Sequence, residues 1–326
     1  MESWRRSCKS WRERFSDDLV HEINIHTDEY FGKLKIFLQQ APSGSYVKKK
    51  FRSCEASGGA TVVKNLSCGA PVTSGTLASH GPHPSDFRIV GYALNEKRLC
   101  RDITPPEEPN RLCDSAATGW TAWDASLVLA KWLERRPYLV CKKLCLELGA
   151  GIGLVSSVAY CLGAKLTVST DRDDVIFLLK SNLNRTVEAY IAYNNQLRVK
   201  RAVDSKLAAE VLHWESKEHL ERVLAVYGAP EVILCSDLVY EELASRALVH
   251  VLVRISRASL QMGRKPLIIM AQDEHVPEVL EQFLAGISAF FTVDRVPCLD
   301  FNPNFSSELI RVYLFRPKAE HFLYNQ

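Results

Sequence analysis

Two stretches near the start of the chain alternate in polarity. Val20-His21-Glu22-Ile23-Asn24-Ile25-His26 does so in part, and Lys33-Leu34-Lys35-Ile36-Phe37-Leu38 places Leu34, Ile36 and Leu38 on one face. With Tyr30-Phe31-Gly32 between them, they predict a β-hairpin. A weakly patterned helix is expected over 2–15. The pattern is then lost over 41–86, where Gly, Ser and Pro supply 18 of 46 positions. Few apolar residues remain there to offset the entropy of ordering, so a flexible insertion is expected. Strand character returns within 87–103, and Pro105-Pro106-Glu107-Glu108-Pro109 breaks it again.

From Trp120 the pattern becomes regular. Asp124 is read as the cap of a helix running to about Arg135, with Leu127, Val128, Lys131 and Trp132 at helical spacing. Leu144–Leu148 predicts a buried strand ending in a Gly-rich turn, followed by a helix through Cys161. Further strands are expected at Lys165–Thr170, Ala208–Leu212, Val232–Ser236 and Pro266–Ala271. Helices are expected at about 173–184, 241–261 and 277–287. Phe290–Val296 and Glu308–Phe315 predict a final antiparallel pair. Strands alternating with helices imply βαβ units, and therefore an α/β fold with a mainly parallel sheet. The domain reading is an N-terminal extension with the hairpin (1–40), a largely flexible insertion with strands within 87–103 (41–112), and a main domain (113–326).

Composition narrows the picture. The 326 residues are 47% hydrophobic and 24% charged, close to the globular average, which excludes a collagen-like, coiled-coil or wholly disordered chain. No run reaches the ~18 apolar residues of a membrane span, and the polar start Met1-Glu2-Ser3-Trp4-Arg5-Arg6 predicts no secretory signal. Of the net charge of +3, all sits in residues 1–86, with 12 Lys/Arg against 9 Asp/Glu. The remaining 240 residues balance at 29 against 29. A neutral main domain argues against a nucleic-acid partner. The basic runs Arg5–Arg14 and Lys48–Arg52 read as solvated faces. Ten cysteines form no disulfide frame, and Cys141 and Cys145 lack metal-site spacing. The expected setting is reducing and cytoplasmic, with nuclear entry left open. His80 and His83 have no nearby partners to complete a metal site, so no metal is expected.

The central chemical signal is Glu147-Leu148-Gly149-Ala150-Gly151-Ile152-Gly153. Glycines after a strand and before a helix let the backbone turn sharply and a ligand approach closely. The spacing is G-x-G-x-G; Leu154 stands where a dinucleotide loop requires glycine. Glu147, just before the turn, disfavours pyrophosphate and suits a cationic ligand, directly or through water. Asp171 ends the next strand, twenty residues after Gly151, where an acid accepts bonds from ribose hydroxyls. A nucleoside with a positive arm fits this set, as in S-adenosylmethionine; NAD fits poorly.

The sequence here resembles the seven-β-strand, S-adenosylmethionine-dependent methyltransferases, and within them the protein-lysine branch that acts on valosin-containing protein, heat-shock chaperones and translation elongation factor. The resemblance covers about 120–316 and extends to the hairpin. It rests on Trp123-Asp124-Ala125-Ser126-Leu127-Val128-Leu129-Ala130, on Glu147–Gly153, on Leu212-His213-Trp214 and on Ser236-Asp237-Leu238-Val239-Tyr240, a D-x-x-Y signature. Thr170-Asp171 followed by Leu178-Leu179-Lys180 and Asn182 has the branch's spacing. Ile152 departs from the branch's usual Thr, and 41–112 has no counterpart. The resemblance implies a Rossmann-like class I methyltransferase with a doubly wound, mainly parallel seven-stranded sheet. It implies S-adenosylmethionine contacts from Trp123, Glu147, Gly149, Ala150, Gly151, Gly153, Asp171, Trp214 and Ser236, and catalytic roles for Asp237 and Tyr240. A protein substrate of the chaperone, AAA ATPase or translation-factor class is expected, with no nucleic acid, no membrane and a monomeric state.

Each residue also has a plain structural reading: Trp123 and Trp214 as core anchors, Asp171 and Asp237 as helix caps, Tyr240 as a packed aromatic. Rival functions are a histidine-directed or small-molecule methyltransferase and a non-catalytic binding module. Asn302-Pro303-Asn304-Phe305 faintly resembles the N-P-P-Y motif of base- or glutamine-directed enzymes, but its place between the last two strands marks it as a turn.

Overall fold

The structure is a computed structural model and describes residues 19–27, 30–40, 118–197 and 205–323. The readings for 2–15, for the whole insertion 41–112 including 87–103, and for His80 and His83 lie outside these residues.

The hairpin is present. Strands β1 (Leu19–Thr27) and β2 (Tyr30–Leu38) pair antiparallel, with Leu19 opposite Leu38 and Thr27 opposite Tyr30. Leu34, Ile36 and Leu38 are buried together with Ile23 and Ile25, as the alternation requires. The main sheet has seven strands: β3 (Leu144–Leu148), β4 (Leu166–Asp171), β5 (Lys206–Val211), β6 (Val232–Ser236), β7 (Leu267–Asp273), β8 (Phe291–Arg295) and β9 (Ile310–Pro317). Their order is β5-β4-β3-β6-β7-β9-β8. The first five run parallel; β9 is antiparallel to both β7 and β8. The chain moves outward from β3 to β5 and then returns to the other side of β3. This places a topological switch point between β3 and β6, where such sheets open a crevice.

Helices cover both faces. On one lie α1 (Asp124–Glu134), α2 (Leu154–Cys161), α3 (Ile176–Gln196) and the hairpin, in one apolar layer with Leu129, Leu133, Val155 and Leu179. On the other lie α4 (Lys217–Tyr227), α5 (Glu242–Gln261) and α6 (Pro277–Ser288), packed through Leu220, Leu252 and Phe283. A short α7 (Ala319–Leu323) follows β9. All eight residues of α2 are buried, because it is covered by sheet, α1 and α3 together.

Three expectations change. Trp123, not Asp124, is the N-cap of α1; Asp124 is its first helical residue, where the helix dipole favours an acid. Helix α3 continues twelve residues past the predicted end at 184, its polar tail held to the core by Thr186 and Tyr190. Helix α4 was not expected. Its Ser216 cap accepts from the His219 backbone N–H at 3.2 Å, and Leu220, Val223, Leu224 and Tyr227 form a helical stripe against the core, a periodicity that the sequence carries and the reading passed over. Asn302–Phe305 forms a short 3₁₀ turn, with the Asn302 side chain accepting from the Asn304 N–H at 3.0 Å. Cys145, Cys161 and Cys235 are buried free thiols, and burial pushes Cys145 up to about 12, so they are inert.

Candidate active site

A cavity of about 330 Å³ opens at the carboxyl ends of β3, β4 and β6, at the switch point. One wall is the glycine turn. Gly149, Ala150 and Gly151 line it, and Gly149 and Gly151 have φ of 57° and 54°. A Cβ on Gly149 would lie 2.5 Å from Leu238 Cδ2 and 3.5 Å from Trp214 Cζ2, so glycine is what lets the turn, the indole and the D-x-x-Y segment meet. Asp171 lies beside this wall. Its carboxylate accepts the Gly151 N–H at 2.7 Å and the Arg172 N–H at 2.7 Å, which fixes the turn to the end of β4. Burial pushes Asp171 above the ordinary aspartate value, with the two backbone N–H groups opposing.

Trp123 and Trp214 also line the cavity. The Trp123 Nε1–H donates to the Thr118 carbonyl at 2.9 Å, which orients the ring. The opposite wall is Ser236, Asp237, Leu238 and Tyr240. Asp237 is 9% exposed and has φ of 57°, a strained value for a residue with a side chain. Its N–H donates to the Ala271 carbonyl at 2.9 Å, while its Oδ1 accepts from Gln272 Nε2 at 3.1 Å and from the Asp273 N–H at 3.3 Å. Gln272, fully buried, also bonds both the N–H and the C=O of Val239 at 3.0 Å. One amide therefore holds the whole Asp237–Val239 turn. The Tyr240 hydroxyl meets Thr118 Oγ1 at 3.5 Å.

Nine of the eleven residues named from the sequence come together at this cavity; Glu147 and Gly153 do not. Glu147 points into the α1/α2 layer and has no exposed surface. Its Oε2 accepts from the Ser156 N–H at 2.8 Å and from the Ser156 hydroxyl, so it anchors the first turn of α2. It therefore stands behind the turn rather than facing a ligand. Burial pushes the carboxyl up to about 8, aided by nearby Asp171 and opposed by Ser156. Gly153 is the N-cap of α2 with φ of 86°; a Cβ there would strike Leu179 and Leu183, so this glycine serves helix packing. Residues that sequence reasoning missed are Thr118 and His275, which line the cavity, and Gln272, which holds the Asp237–Val239 turn. None belongs to a motif; Gln272 lies at the end of β7, His275 just past it, and Thr118 in the turn before α1.

The Glu147 geometry yields a prediction. Folded, the carboxyl keeps its proton to about pH 8; unfolded, it ionises near 4.5. The folded state then binds more protons across that window, so its stability falls as pH rises from about 4.5 to about 8. Glu147→Gln keeps the shape and cannot titrate; Oε1 has no hydrogen-bond partner among the described residues, so the new NH₂ stands there unpaired and offsets part of the gain. At pH 7.5 the variant is expected to gain roughly 1–3 kcal/mol and to lose this pH slope. Affinity for S-adenosylhomocysteine is expected to stay within about threefold. Thermal melts from pH 5 to 8 and calorimetry measure both; a large loss of affinity would return Glu147 to the binding surface.

The comparisons with known proteins agree with this geometry. A family described as lysine methyltransferase matches residues 113–288. The chain is 35% identical over 174 residues to the protein N-lysine methyltransferase METTL21A of Danio rerio, covering 53% of this chain and 69% of that protein. It is 31% identical over 166 residues to the protein N-terminal and lysine N-methyltransferase efm7 of Schizosaccharomyces pombe, covering 48% of this chain and 60% of that protein, less than two thirds of its length. With a family match over more than half its residues and the cavity in the matching segment, the chain belongs to the lysine methyltransferase family.

Proposed function

We propose that this chain is an S-adenosylmethionine-dependent methyltransferase acting on a lysine side chain of a protein. The observation that carries the reading is the convergence of two independent sets on one cavity. The glycine turn, Asp171, Trp123 and Trp214 form one end; Asp237 and Tyr240 form the other. The residues fit the cofactor: a turn without side chains admits a nucleoside, Asp171 offers remaining lone pairs to hydroxyls, and two indoles supply flat apolar surface. When bound, S-adenosylmethionine supplies an electrophilic methyl group.

The protein's part is to bind, orient and dehydrate the acceptor. Lysine is an ammonium near neutral pH, with a pKa of ~10.4 in water, and must become neutral to act as a nucleophile. Asp237, its carboxyl held by Gln272 and the Asp273 N–H, draws the ammonium in and fixes its nitrogen. Burial then favours release of the proton to solvent. Tyr240 lines the path of the alkyl chain. Alignment and exclusion of water supply most of the acceleration such a transfer needs.

The reading extends to a folded protein substrate of the chaperone, AAA ATPase or translation-factor class, met by a monomer in the cytoplasm. The relatives' names support a protein acceptor, and buried free thiols suit a reducing compartment. The deciding experiment incubates the full chain with methyl-labelled S-adenosylmethionine in cell extract and maps the labelled residue by mass spectrometry. Label on one lysine is expected. Label on histidine or on a small molecule would overturn the lysine assignment.

A further inference from the structure

We propose that Gln40 and Asn182 are positioning residues that hold the two walls of the cavity in register, making the N-terminal hairpin a working part of the site. The inference rests on the cavity being the cofactor site.

The hairpin grips α1 at both ends. At the C-terminal end, Glu134 accepts from His21 Nε2 at 3.1 Å, from the Asn24 N–H at 3.1 Å and from Asn24 Nδ2 at 2.8 Å, and it pairs with Lys131 at 2.8 Å. Burial lowers His21 below its ordinary value, so the ring sits there neutral. At the N-terminal end, the chain leaving β2 reaches the segment before Trp123. Gln40 is buried, and its Oε1 accepts both the Thr121 hydroxyl and the Ala122 N–H at 2.9 Å. The next residue is Trp123, on the cavity wall, and Thr118, which receives its indole N–H, also meets Tyr240.

One residue back, the same exit segment is tied to the other wall. Asn182 of α3 is fully buried. Its Oδ1 accepts the Gln39 N–H at 2.8 Å, and its Nδ2 donates to the Gln39 carbonyl and the Ile152 carbonyl, both at 3.0 Å. Ile152 lies between Gly151 and Gly153 of the glycine turn. The turn and the Trp123 segment otherwise meet closely: a Cβ on Gly151 would stand 3.3 Å from the Gly119 carbonyl oxygen. Two adjacent glutamines thus connect the wall carrying Gly151 with the wall carrying Trp123. A wall displaced by about 1 Å costs a site far more than its lost hydrogen bonds, because binding and transfer depend on alignment.

The test uses the full chain, calorimetry with S-adenosylhomocysteine and thermal melts. Gln40→Met keeps length and removes the acceptor; affinity is expected to fall about tenfold. Gln40→Glu restores an acceptor for both donors and should stay within about threefold of wild type. Thr121→Val deletes one hydroxyl and should cost about threefold. The double variant Gln40→Met/Thr121→Val should bind no more weakly than Gln40→Met alone, because both act through one bridge. A purely structural role would lower the melting temperature and leave affinity unchanged well below it. A folded Gln40→Met of wild-type affinity, or strictly additive losses, overturns the inference. Should Gln40→Met fail to fold, Thr121→Val decides, and wild-type affinity there overturns it. A wild-type chain that does not bind S-adenosylhomocysteine overturns the cofactor reading and this inference with it.

Discussion

Asp237→Ala is expected to cut turnover at least ~100-fold while leaving affinity for S-adenosylhomocysteine within about threefold. The asymmetry follows from where the side chain sits. Asp237 is on the D-x-x-Y wall, and its carboxylate is held by Gln272 and the Asp273 N–H rather than by the glycine turn. Removing it takes away the group that draws in an ammonium and fixes its nitrogen. It leaves Asp171, the turn and both indoles in place. Alanine adds a second cost, since φ is 57° there and a Cβ without a compensating side chain is strained by ~1–2 kcal/mol. Asp237→Asn separates the two effects. Asparagine tolerates the left-handed region and keeps an oxygen for Gln272, but it carries no charge. If charge is what matters, Asn and Ala lose turnover alike. If the shape of the turn matters, Asn recovers most of it. Single-turnover rates at saturating cofactor distinguish these outcomes, and near-normal rates in both variants would remove Asp237 from the reaction.

Much of this arrangement was legible from the residues, and the reasons are specific. The strands β3, β6 and β7 are short apolar runs bounded by turn residues, which leaves few alternatives in a chain that also shows helical spacing between them. Asp171 was readable from its place at the end of a strand near the switch point, whereas Trp123, Trp214, Asp237 and Tyr240 entered through the motifs that carry the family resemblance; all five line the cavity. That Glu147 turns toward Ser156 rather than into the cavity was not legible. In a strand buried on both faces every position is apolar or fully enclosed, so alternation gives no sign of which way an acid points. Helix α4 was legible but passed over: Leu220, Val223, Leu224 and Tyr227 recur at helical spacing behind the Ser216 cap. The bridging contacts of Gln40 and Asn182 were beyond reach for a different reason, although Asn182 itself was noted by its spacing. They join positions 143 and 82 residues apart in the chain, and local pattern carries no information about such pairings.

The glycines of the turn are expected to separate binding from stability. Gly149→Ala should weaken S-adenosylhomocysteine by at least ~30-fold, and Gly153→Ala should lower stability by roughly 2–4 kcal/mol with a smaller change in affinity. Both have positive φ, so both pay the same backbone cost. They differ in what the new methyl meets. At Gly149 it points at Leu238 Cδ2, 2.5 Å away, and both residues line the cavity. Leu238 is buried, adjoins Asp237 and has little room to withdraw, so the methyl pushes the D-x-x-Y wall outward and fills space the ligand needs. At Gly153 the methyl points away from the cavity, to Leu179 Cδ1 at 2.7 Å and Leu183 Cδ2 at 2.9 Å, both fully buried on α3. There α2 and α3 must separate, which costs packing on the whole α1/α2/α3 layer. Denaturant melts paired with calorimetry read the two quantities independently. If Gly153→Ala lost affinity as severely as Gly149→Ala while remaining as stable as wild type, the third glycine would belong to the ligand after all. The separation of roles along the turn would then be wrong.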